Sequence, residues 1–223
     1  IPADTKETEY TFEGTFIFPE IQKDKVNHVI ESSIFGLAEV SANNNDHTFT
    51  SPNNLDFKVS AVKQAPDSSD AKFVLSSDSS IISTMQTDII PDLYKNTRWN
   101  LALKITKDLD NKFVSSSSPK YKVELTGHRH ILDNLEDSFF LTSPLTEVKY
   151  NKIQAANKTF YLGAQRTNIT GALQTSTDIK VVNFNAWNDD LSNKELEFRS
   201  RSPLTSGRNK NSIFMGPRKF WKF

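Results

Sequence analysis

The sequence contains no cysteine, and only 7 of its 223 residues are glycine. The absence of cysteine excludes a disulfide scaffold, thiolate metal ligands and a cysteine nucleophile, and it weakens the case for a secreted module of the disulfide-rich type. No apolar stretch approaches the roughly 18 residues that a membrane helix needs. Lys and Arg total 27 and Asp and Glu total 27, so the formal net charge is zero. This balance argues against a dedicated nucleic-acid-binding protein, because such proteins are usually strongly basic.

The amino terminus has an unusual first residue for a translated chain. The sequence begins at Ile1, and no basic region followed by an apolar region marks a signal peptide. We therefore expect a processed product or a piece of a longer protein.

What the sequence has in place of these features is alternation of apolar and polar residues with period two. Such alternation places one set of side chains on the buried face of a β-strand and the other set on the opposite face. The 16 Phe residues supply the large apolar faces that two packed sheets require. The pattern predicts nine strands, at residues 10–18, 34–40, 57–61, 73–75, 99–106, 121–126, 139–141, 160–162 and 179–183.

Signals for helices are few. Ser192-Asn193-Lys194-Glu195 matches a capping box, in which Ser and Glu satisfy the first backbone donors of a helix, and it predicts a short C-terminal helix. Residues 85–94 are a candidate for one or two helical turns, although Pro91 interrupts them. A single antiparallel β-sandwich is the economical interpretation of the whole pattern.

Three segments of the sequence carry a resemblance to a known family. Residues 91–100 (PDLYKNTRWN) resemble the beginning of a strand with the pattern P-x-x-Y-x-N-x-x-W-N. Residues 161–171 (YLGAQRTNITG) resemble a YVGAxRTNFTG segment. Residues 178–181 (DIKV), followed by Trp187, Asp190, Leu191, Ser192 and Glu195, resemble the segment that comes next. These patterns are those of laminin-G-like domains in large virion proteins of marine tailed bacteriophages, with related domains in large DNA viruses of eukaryotes.

The resemblance implies a fold and a setting. It covers roughly residues 10–205, and the family fold is a concanavalin A-like jelly roll of two curved antiparallel sheets. In the family, this domain is usually one part of a much longer virion protein. The sequence departs from the family pattern at Phe184-Asn185-Ala186-Trp187, where an aromatic-Trp pair is more common, and the residues after Ser206 match nothing in it.

The C-terminal segment differs in charge from the rest of the chain. Seven of the 27 Lys and Arg residues and none of the acidic residues lie after residue 198, so residues 1–198 carry −7 and residues 199–223 carry +7. Aromatic residues stand among these cations, which suits an arm that docks on an acidic partner subunit. A connector, a final strand of the sandwich and a nucleic-acid-binding segment are the alternatives. The predicted arm residues are Arg208, Lys210, Phe214, Arg218, Lys219, Phe220, Trp221, Lys222 and Phe223.

A candidate glycan site lies shortly before this segment. A sugar site needs an exposed aromatic platform beside amide and carboxylate groups. That composition occurs in Trp187 with Asn185, Asn188, Asp189 and Asp190. The alternative is that Trp187 packs under the short helix. Trp99, in contrast, alternates with aliphatic residues and is predicted to lie in the core.

Metal ligands are present in the sequence only in weak patterns. His128 and His130, with Asp133, form the set from which a zinc site would be built. Calcium, which binds oxygen ligands in loops, has candidates in residues 43–46 (NNND) and in Asp67 with Asp70. Because Asn and Asp are also the ordinary turn residues of a chain with little glycine, we predict no metal and no other cofactor, with calcium as the open alternative.

Catalytic motifs are not found. Glycoside hydrolysis needs two carboxylates roughly 5–9 Å apart, and Glu195-Leu196-Glu197 at the predicted capping box is the nearest match. The sequence has no Gly-x-Ser-x-Gly motif and no glycine-rich phosphate-binding loop. We therefore predict a protein that is not an enzyme.

Taken together, these observations predict an all-β, concanavalin A-like jelly-roll sandwich with one short C-terminal helix. The predicted domains are a sandwich at residues 1–198 and a basic, aromatic arm or connector at residues 199–223. The predicted function is that of a non-enzymatic structural protein located in the virion, whose partners are other virion proteins or copies of itself. A lectin-like module that binds a host glycan is the alternative. We expect no membrane partner.

Overall fold

The computed structural model describes residues 9–21, 29–39, 55–77, 81–108, 120–154, 158–167, 171–202 and 220–222. Within them the chain forms mainly β-strands. The strands are β1 (Tyr10–Phe18), β2 (Glu31–Glu39), β3 (Leu55–Lys63), β4 (Ala71–Ser76), β5 (Met85–Gln86), β6 (Thr97–Lys107), β7 (Tyr121–Ile131), β8 (Asn134–Leu145), β9 (Lys158–Leu162), β10 (Gln165–Arg166), β11 (Leu173–Thr175), β12 (Lys180–Trp187) and β13 (Phe220–Lys222). The helices are α1 (Glu147–Gln154) and α2 (Asn193–Arg201).

Two antiparallel sheets form the sandwich. The first, called sheet A below, has six strands in the order β13-β12-β1-β6-β7-β8. The second, called sheet B, has five strands in the order β5-β4-β3-β2-β9, and β10 and β11 form a separate two-stranded sheet. The chain passes from β1 in sheet A through β2 to β5 in sheet B and then returns to sheet A with β6.

The core between the two sheets is rich in aromatic rings. Phe160 of sheet B stacks on Phe184 of sheet A with ring centroids 4.6 Å apart. Phe73 of sheet B lies 5.5 Å from Trp99 of sheet A, and Trp99 is 1% exposed, as predicted for a core residue. Stacked and edge-on aromatic contacts of this kind stabilise a core beyond the area that they bury.

The fold class predicted from the sequence is confirmed: the chain is an all-β antiparallel jelly-roll sandwich with a short C-terminal helix, α2. All nine predicted strands coincide with strands, although Val40, at the end of the second, lies outside the described residues.

The prediction of helical turns at residues 85–94 was wrong. That segment contains β5 and then a turn at residues 91–96 in which Asp92 and Asn96 have φ values of 57° and 58°. A residue with positive φ cannot continue a right-handed helix, so the turn closes the segment before β6 begins.

Candidate binding surfaces

Helix α2 is attached to the outer face of sheet A by a buried ion pair. Arg199 Nε lies 2.6 Å from Glu13 Oε2 on β1, and the two side chains are 3% and 1% exposed. Asn100 Nδ2 on β6 donates to the other carboxylate oxygen of Glu13 at 3.4 Å. Burial raises the pKa of Glu13, and the charge and hydrogen bond of Arg199 oppose that rise. The pair therefore joins the first strand to the last helix.

The start of α2 has the geometry that its sequence predicts. The Glu195 backbone N–H donates to Ser192 Oγ at 3.3 Å, and the Ser192 backbone N–H donates to Glu195 Oε2 at 2.9 Å. These reciprocal bonds are the two halves of a capping box. These bonds engage the Glu195 carboxylate. The Glu197 carboxylate forms an ion pair with Arg201 at 2.7 Å. Both carboxylates of the nearest hydrolase-like match therefore have structural partners in the helix.

A second charged cluster lies on the same face of sheet A. The ammonium group of Lys104 contacts Glu124 at 2.8 Å and Asp190 at 3.1 Å, and Lys122 contacts Glu124 at 2.9 Å. Burial raises the pKa of Glu124, but the hydrogen bonds and charges of the two lysines outweigh it and hold that pKa below its usual range.

The predicted glycan residues come together at the end of β12, where several of them help to hold α2. The Trp187 ring is half-buried and lies under the guanidinium group of Arg199, with 4.8 Å between the guanidinium carbon and the ring centroid. The Asp190 carboxylate pairs with Lys104. Asn185 is buried, the backbone carbonyl of Asp189 accepts a bond from Thr11, and Asn188 is exposed. Trp187 thus packs beside the helix, and the glycan role of this group stays a prediction.

The histidines do not form a metal centre with their neighbours in the described part of the chain. His128 and His130 lie on β7 with ring centroids 6.5 Å apart, and the strand register shifts between Arg129 and His130. The His130 ring nitrogen Nδ1 lies 3.2 Å from the Ser200 hydroxyl on α2. No group of three or more His, Asp or Glu side chains in the described segments is placed to hold a metal ion.

Of the two oxygen-rich turns proposed as calcium ligands, the structure describes only the one with Asp67 and Asp70. Residues 43–46 lie outside the described residues. Asp67 is exposed, and the Asp70 carboxylate accepts a hydrogen bond from the backbone N–H of Asp92 at 2.9 Å. Asp70 therefore has a structural role in the turn before β6, and calcium binding remains untested.

Of the predicted C-terminal arm at residues 199–223, the structure describes residues 199–202 and 220–222. Residues 220–222 form β13, which pairs antiparallel with β12 of the same chain, with Trp187 opposite Phe220 and Asn185 opposite Lys222. The domain boundary predicted at residue 198 falls inside α2, because Arg199 is a buried residue of that helix. The remaining arm residues, Arg208, Lys210, Phe214, Arg218, Lys219 and Phe223, lie outside the described residues.

A groove that the sequence did not reveal opens at the other edge of the sandwich. It has a volume of about 410 Å³ and lies between residues 86–91, which include the end of β5, and residues 137–141 of β8. Its lining includes the buried Trp99 and the exposed Ile89 and Phe140, whose exposed fractions are 43% and 50%. We call this surface the β5–β8 groove. No sequence signal identifies it, because residues 92–136, which include β6 and β7, separate its two walls in the sequence.

Two acidic residues lie in the lining of the β5–β8 groove. They are Asp88 on the β5 side and Asp137 on β8. Neither carboxylate forms an ion pair with a described residue, and the Asp137 carboxylate accepts a bond from the backbone N–H of Ser138 at 2.8 Å. The groove therefore combines exposed apolar side chains with two acids that form no ion pair with a described residue, and Arg129 on β7 lies opposite one of them, Asp137, in the strand register.

Comparison with known proteins gives a likeness of fold without a family. No family model matches the chain, and no curated protein matches it. A solved structure of the heptameric SAP-like pentraxin from Limulus polyphemus is similar over 100% of this chain and 89% of its own, with 10% identity and a TM-score of 0.47. The receptor-binding domain of botulinum neurotoxin type G is similar over 91% of this chain and 41% of its own, with 12% identity and a TM-score of 0.40.

A third similar solved structure matches less of the chain. The alginate lyase from Klebsiella pneumoniae matches 80% of this chain and 59% of its own, with 9% identity and a TM-score of 0.40. At these identities and TM-scores, the likeness carries no statement about the function of this chain. Separately, none of the helices in the described segments has the length and apolar character of a membrane span.

Proposed function

We propose that this chain is a non-enzymatic structural protein of a virion, associated with the capsid or the tail, which acts through protein–protein contacts in the particle. The observation that carries the contact role is the β5–β8 groove, because exposed apolar side chains with polar residues around them mark a surface that another molecule covers. The virion setting is supported by the three sequence segments that resemble phage laminin-G-like domains.

The non-enzymatic part of the proposal is supported by the use of the charged residues. Glu13, Glu124 and Glu195 each bond to a side chain or backbone group that holds sheet A or α2 in place. A catalytic acid or base must instead be within reach of a substrate. If the purified chain cleaves a polysaccharide, this part of the proposal is wrong.

The direct test is to find the chain in intact particles and to identify its neighbours. Cross-linking of purified virions followed by mass spectrometry is expected to join lysines of this chain to another virion protein or to a second copy. Lys149 and Lys152 on α1 and Lys180 on β12 are suitable reporters in the described structure. Absence of the chain from purified virions would contradict the proposal.

The second candidate function is a lectin-like module for attachment to a host glycan. Its support is the partial exposure of Trp187 together with the exposed Asn188 at the end of β12. A glycan array tests it, with Trp187→Ala expected to abolish binding and Phe198→Ala, an exposed aromatic on α2, expected to leave it unchanged. If the chain binds no glycan, the lectin alternative is excluded for the array tested.

A further inference from the structure

The two edges of sheet A carry opposite charges. At one edge, β13 contains Phe220, Trp221 and Lys222 and follows Arg218 and Lys219 directly in sequence. At the other edge, β8 contains Glu136 and Asp137, and the β5–β8 groove beside it adds Asp88. An edge strand has unpaired backbone groups and can pair with a strand of another chain.

A chain cannot bring its own two edges together while β13 is paired with β12. Five strand spacings separate β13 from β8, which corresponds to about 24 Å at ~4.8 Å per spacing. The β13 edge of one molecule can therefore meet an acidic groove only on a second molecule.

The chemistry of the two edges is complementary. Aromatic and Arg side chains are the usual anchors of protein–protein interfaces, and the β5–β8 groove offers exposed Ile89 and Phe140 for apolar contact. Asp88 and Asp137 form no ion pair with a described residue, although Arg129 on β7 lies opposite Asp137 in the strand register, so both carboxylates can accept Lys or Arg side chains of a second copy. Complementary charge of this kind speeds association and fixes which surfaces meet.

From these observations we infer that the β5–β8 groove of one copy binds the β13 edge of a second copy, so that β8 and β13 become neighbours across the interface. The inference rests on the proposed assembly function and specifies its surface. The contact uses two different patches, so it is heterologous. Repetition of a heterologous contact gives a ring where the rotation closes and a filament where it does not.

The test uses two full-length variants, each of which blocks one edge. Asp88→Lys with Asp137→Lys reverses the charge of the groove, and Arg218→Glu with Lys219→Glu reverses the charge beside β13. Each variant alone is expected to lose self-association by on the order of tenfold or more at low salt in analytical ultracentrifugation. An equimolar mixture of the two is expected to associate again, because the intact groove of one variant meets the intact β13 edge of the other and the two reversed surfaces are also opposite in charge.

The matched control also changes two acids to lysine. Asp67→Lys with Glu20→Lys alters exposed acids outside the lining of the β5–β8 groove, and it is expected to self-associate as the wild type does. Circular dichroism on every variant verifies that the sandwich is folded. A mixture that stays monomeric, or a groove variant that assembles like the control, overturns the inference.

Cross-linking locates the contact without relying on charge reversal. Because the chain has no cysteine, single cysteines can be introduced by Ser138→Cys in the groove lining and by Lys222→Cys in β13. A mixture of these two variants is expected to form a disulfide-linked pair, whereas Val148→Cys on α1, an 80% exposed position outside the groove, is expected to form none with the β13 variant. Equal yields from both mixtures would contradict the inference.

The outcomes separate this inference from the proposal on which it rests. A wild-type chain that remains monomeric at low salt overturns the groove–β13 contact, while cross-links to another virion protein in purified particles would still support the virion role. Absence from purified particles, combined with association in the mixture of the two variants, would overturn the virion role and leave the contact in place.

Discussion

At the scale of single residues, the outer face of sheet A depends on charges that are removed from water in pairs. Glu13 and Arg199 are both almost fully buried, and each is the charged partner that compensates the other. Burying an ion without a partner costs free energy. Removal of one partner therefore lowers the free energy of unfolding by more than the intact pair contributes to it. This asymmetry makes the pair a sensitive probe of how α2 is attached.

We expect Glu13→Ala to lower the free energy of unfolding by about 3–5 kcal/mol, because it leaves the Arg199 guanidinium group buried without its carboxylate. Urea denaturation measures the change. The matched control is Glu197→Ala, which removes the exposed partner of Arg201 on the same helix and should cost no more than about 1 kcal/mol. Equal losses in the two variants would show that the burial of Glu13 does not determine how much stability its removal costs.

A second buried pair gives a prediction about pH. Asp56 and Lys158 are 2.8 Å apart, and their side chains are 2% and 3% exposed. Burial raises the pKa of Asp56 from 3.8 to about 6, against the opposing charge of Lys158. Because the folded state holds this proton more tightly than the unfolded state, stability from this group is present below about pH 4 and is lost as the pH rises to about 6.

The free energy of unfolding of the wild type, minus that of Asp56→Asn, should therefore fall by about 2 kcal/mol between pH 4 and pH 7, since one pKa unit corresponds to about 1.4 kcal/mol and part of the effect is already lost at pH 4. Urea titrations of both proteins across this range provide the measurement. A constant difference would mean that Asp56 has an ordinary pKa in the folded state, and a difference that rises with pH would mean that folding lowers its pKa.

At the scale of elements, the local signals that were strongest in the sequence gave the correct structures. The capping box at Ser192 and Glu195 forms as predicted, and the alternation in residues 10–18 and 99–106 corresponds to β1 and β6. Both are short-range patterns, which depend on neighbours that the sequence displays directly.

The capping box can be tested by one substitution. Ser192→Ala removes the side-chain acceptor for the Glu195 backbone N–H, and it should lower the free energy of unfolding by about 1 kcal/mol. Thermal or urea denaturation followed by circular dichroism detects a change of this size. Ser138→Ala, at an exposed position of β8, is the control and should stay within about 0.5 kcal/mol of the wild type. A Ser192→Ala protein as stable as this control would argue that the cap is unimportant.

The elements that the sequence did not reveal have weak local signals. Helix α1 has only Tyr150, Ile153 and Gln154 buried, too few for a clear helical period. Strand β5 has two residues and depends on its pairing with β4. Strand β13, which the sequence offered only as one alternative for the C-terminal segment, depends on its pairing with β12. Their structure comes from tertiary contacts, which a single sequence does not display. The same is true of the β5–β8 groove, whose walls meet only after folding.

The contact between β7 and β8 depends on a glycine. A Cβ atom placed on Gly127 would lie 2.1 Å from Cε1 of Phe139, so the Phe139 ring occupies the space of the missing side chain. Phe139 in turn packs on Trp99, with ring centroids 5.9 Å apart, and lines the β5–β8 groove. The shape of the groove therefore depends on a residue that does not line it.

We expect Gly127→Ala to lower the free energy of unfolding by about 1–3 kcal/mol, the usual range for overpacking. The cost should shrink when Phe139→Leu is already present, because the smaller side chain leaves room for the new methyl group. A double-mutant cycle by urea denaturation measures this coupling. Additive losses would show that the two residues do not compete for the same space.

At the scale of the whole molecule, the zero net charge combines an acidic body with a basic C-terminal segment. Residues 1–198 carry −7 and residues 199–223 carry +7. This division was visible in the sequence, as was the sandwich fold. The position of the proposed partner surface was not visible in the sequence. Asp88 and Asp137 are far apart in the chain, and only the folded structure places both of them in the lining of one groove.

Self-association through these charges should weaken as salt is added. Raising the ionic strength from about 0.05 M to about 0.5 M shortens the range of charge interactions and should shift the chain toward monomers in analytical ultracentrifugation. Deletion of residues 207–223 should give monomers at both salt concentrations. If the deletion leaves assembly unchanged at low and high salt, the C-terminal segment is not the partner-binding arm.

The position of β1 also determines when the molecule can fold. β1 lies inside sheet A, between β6 and β12, and its Thr11 pairs with Trp187. Contacts between residues so far apart in sequence form slowly. At a synthesis rate of about 5–20 residues per second, β1 waits on the order of ten seconds for β12 to be made. During translation, one edge of β1 therefore has no native partner, and a chaperone that binds extended segments would find its target in the first strand.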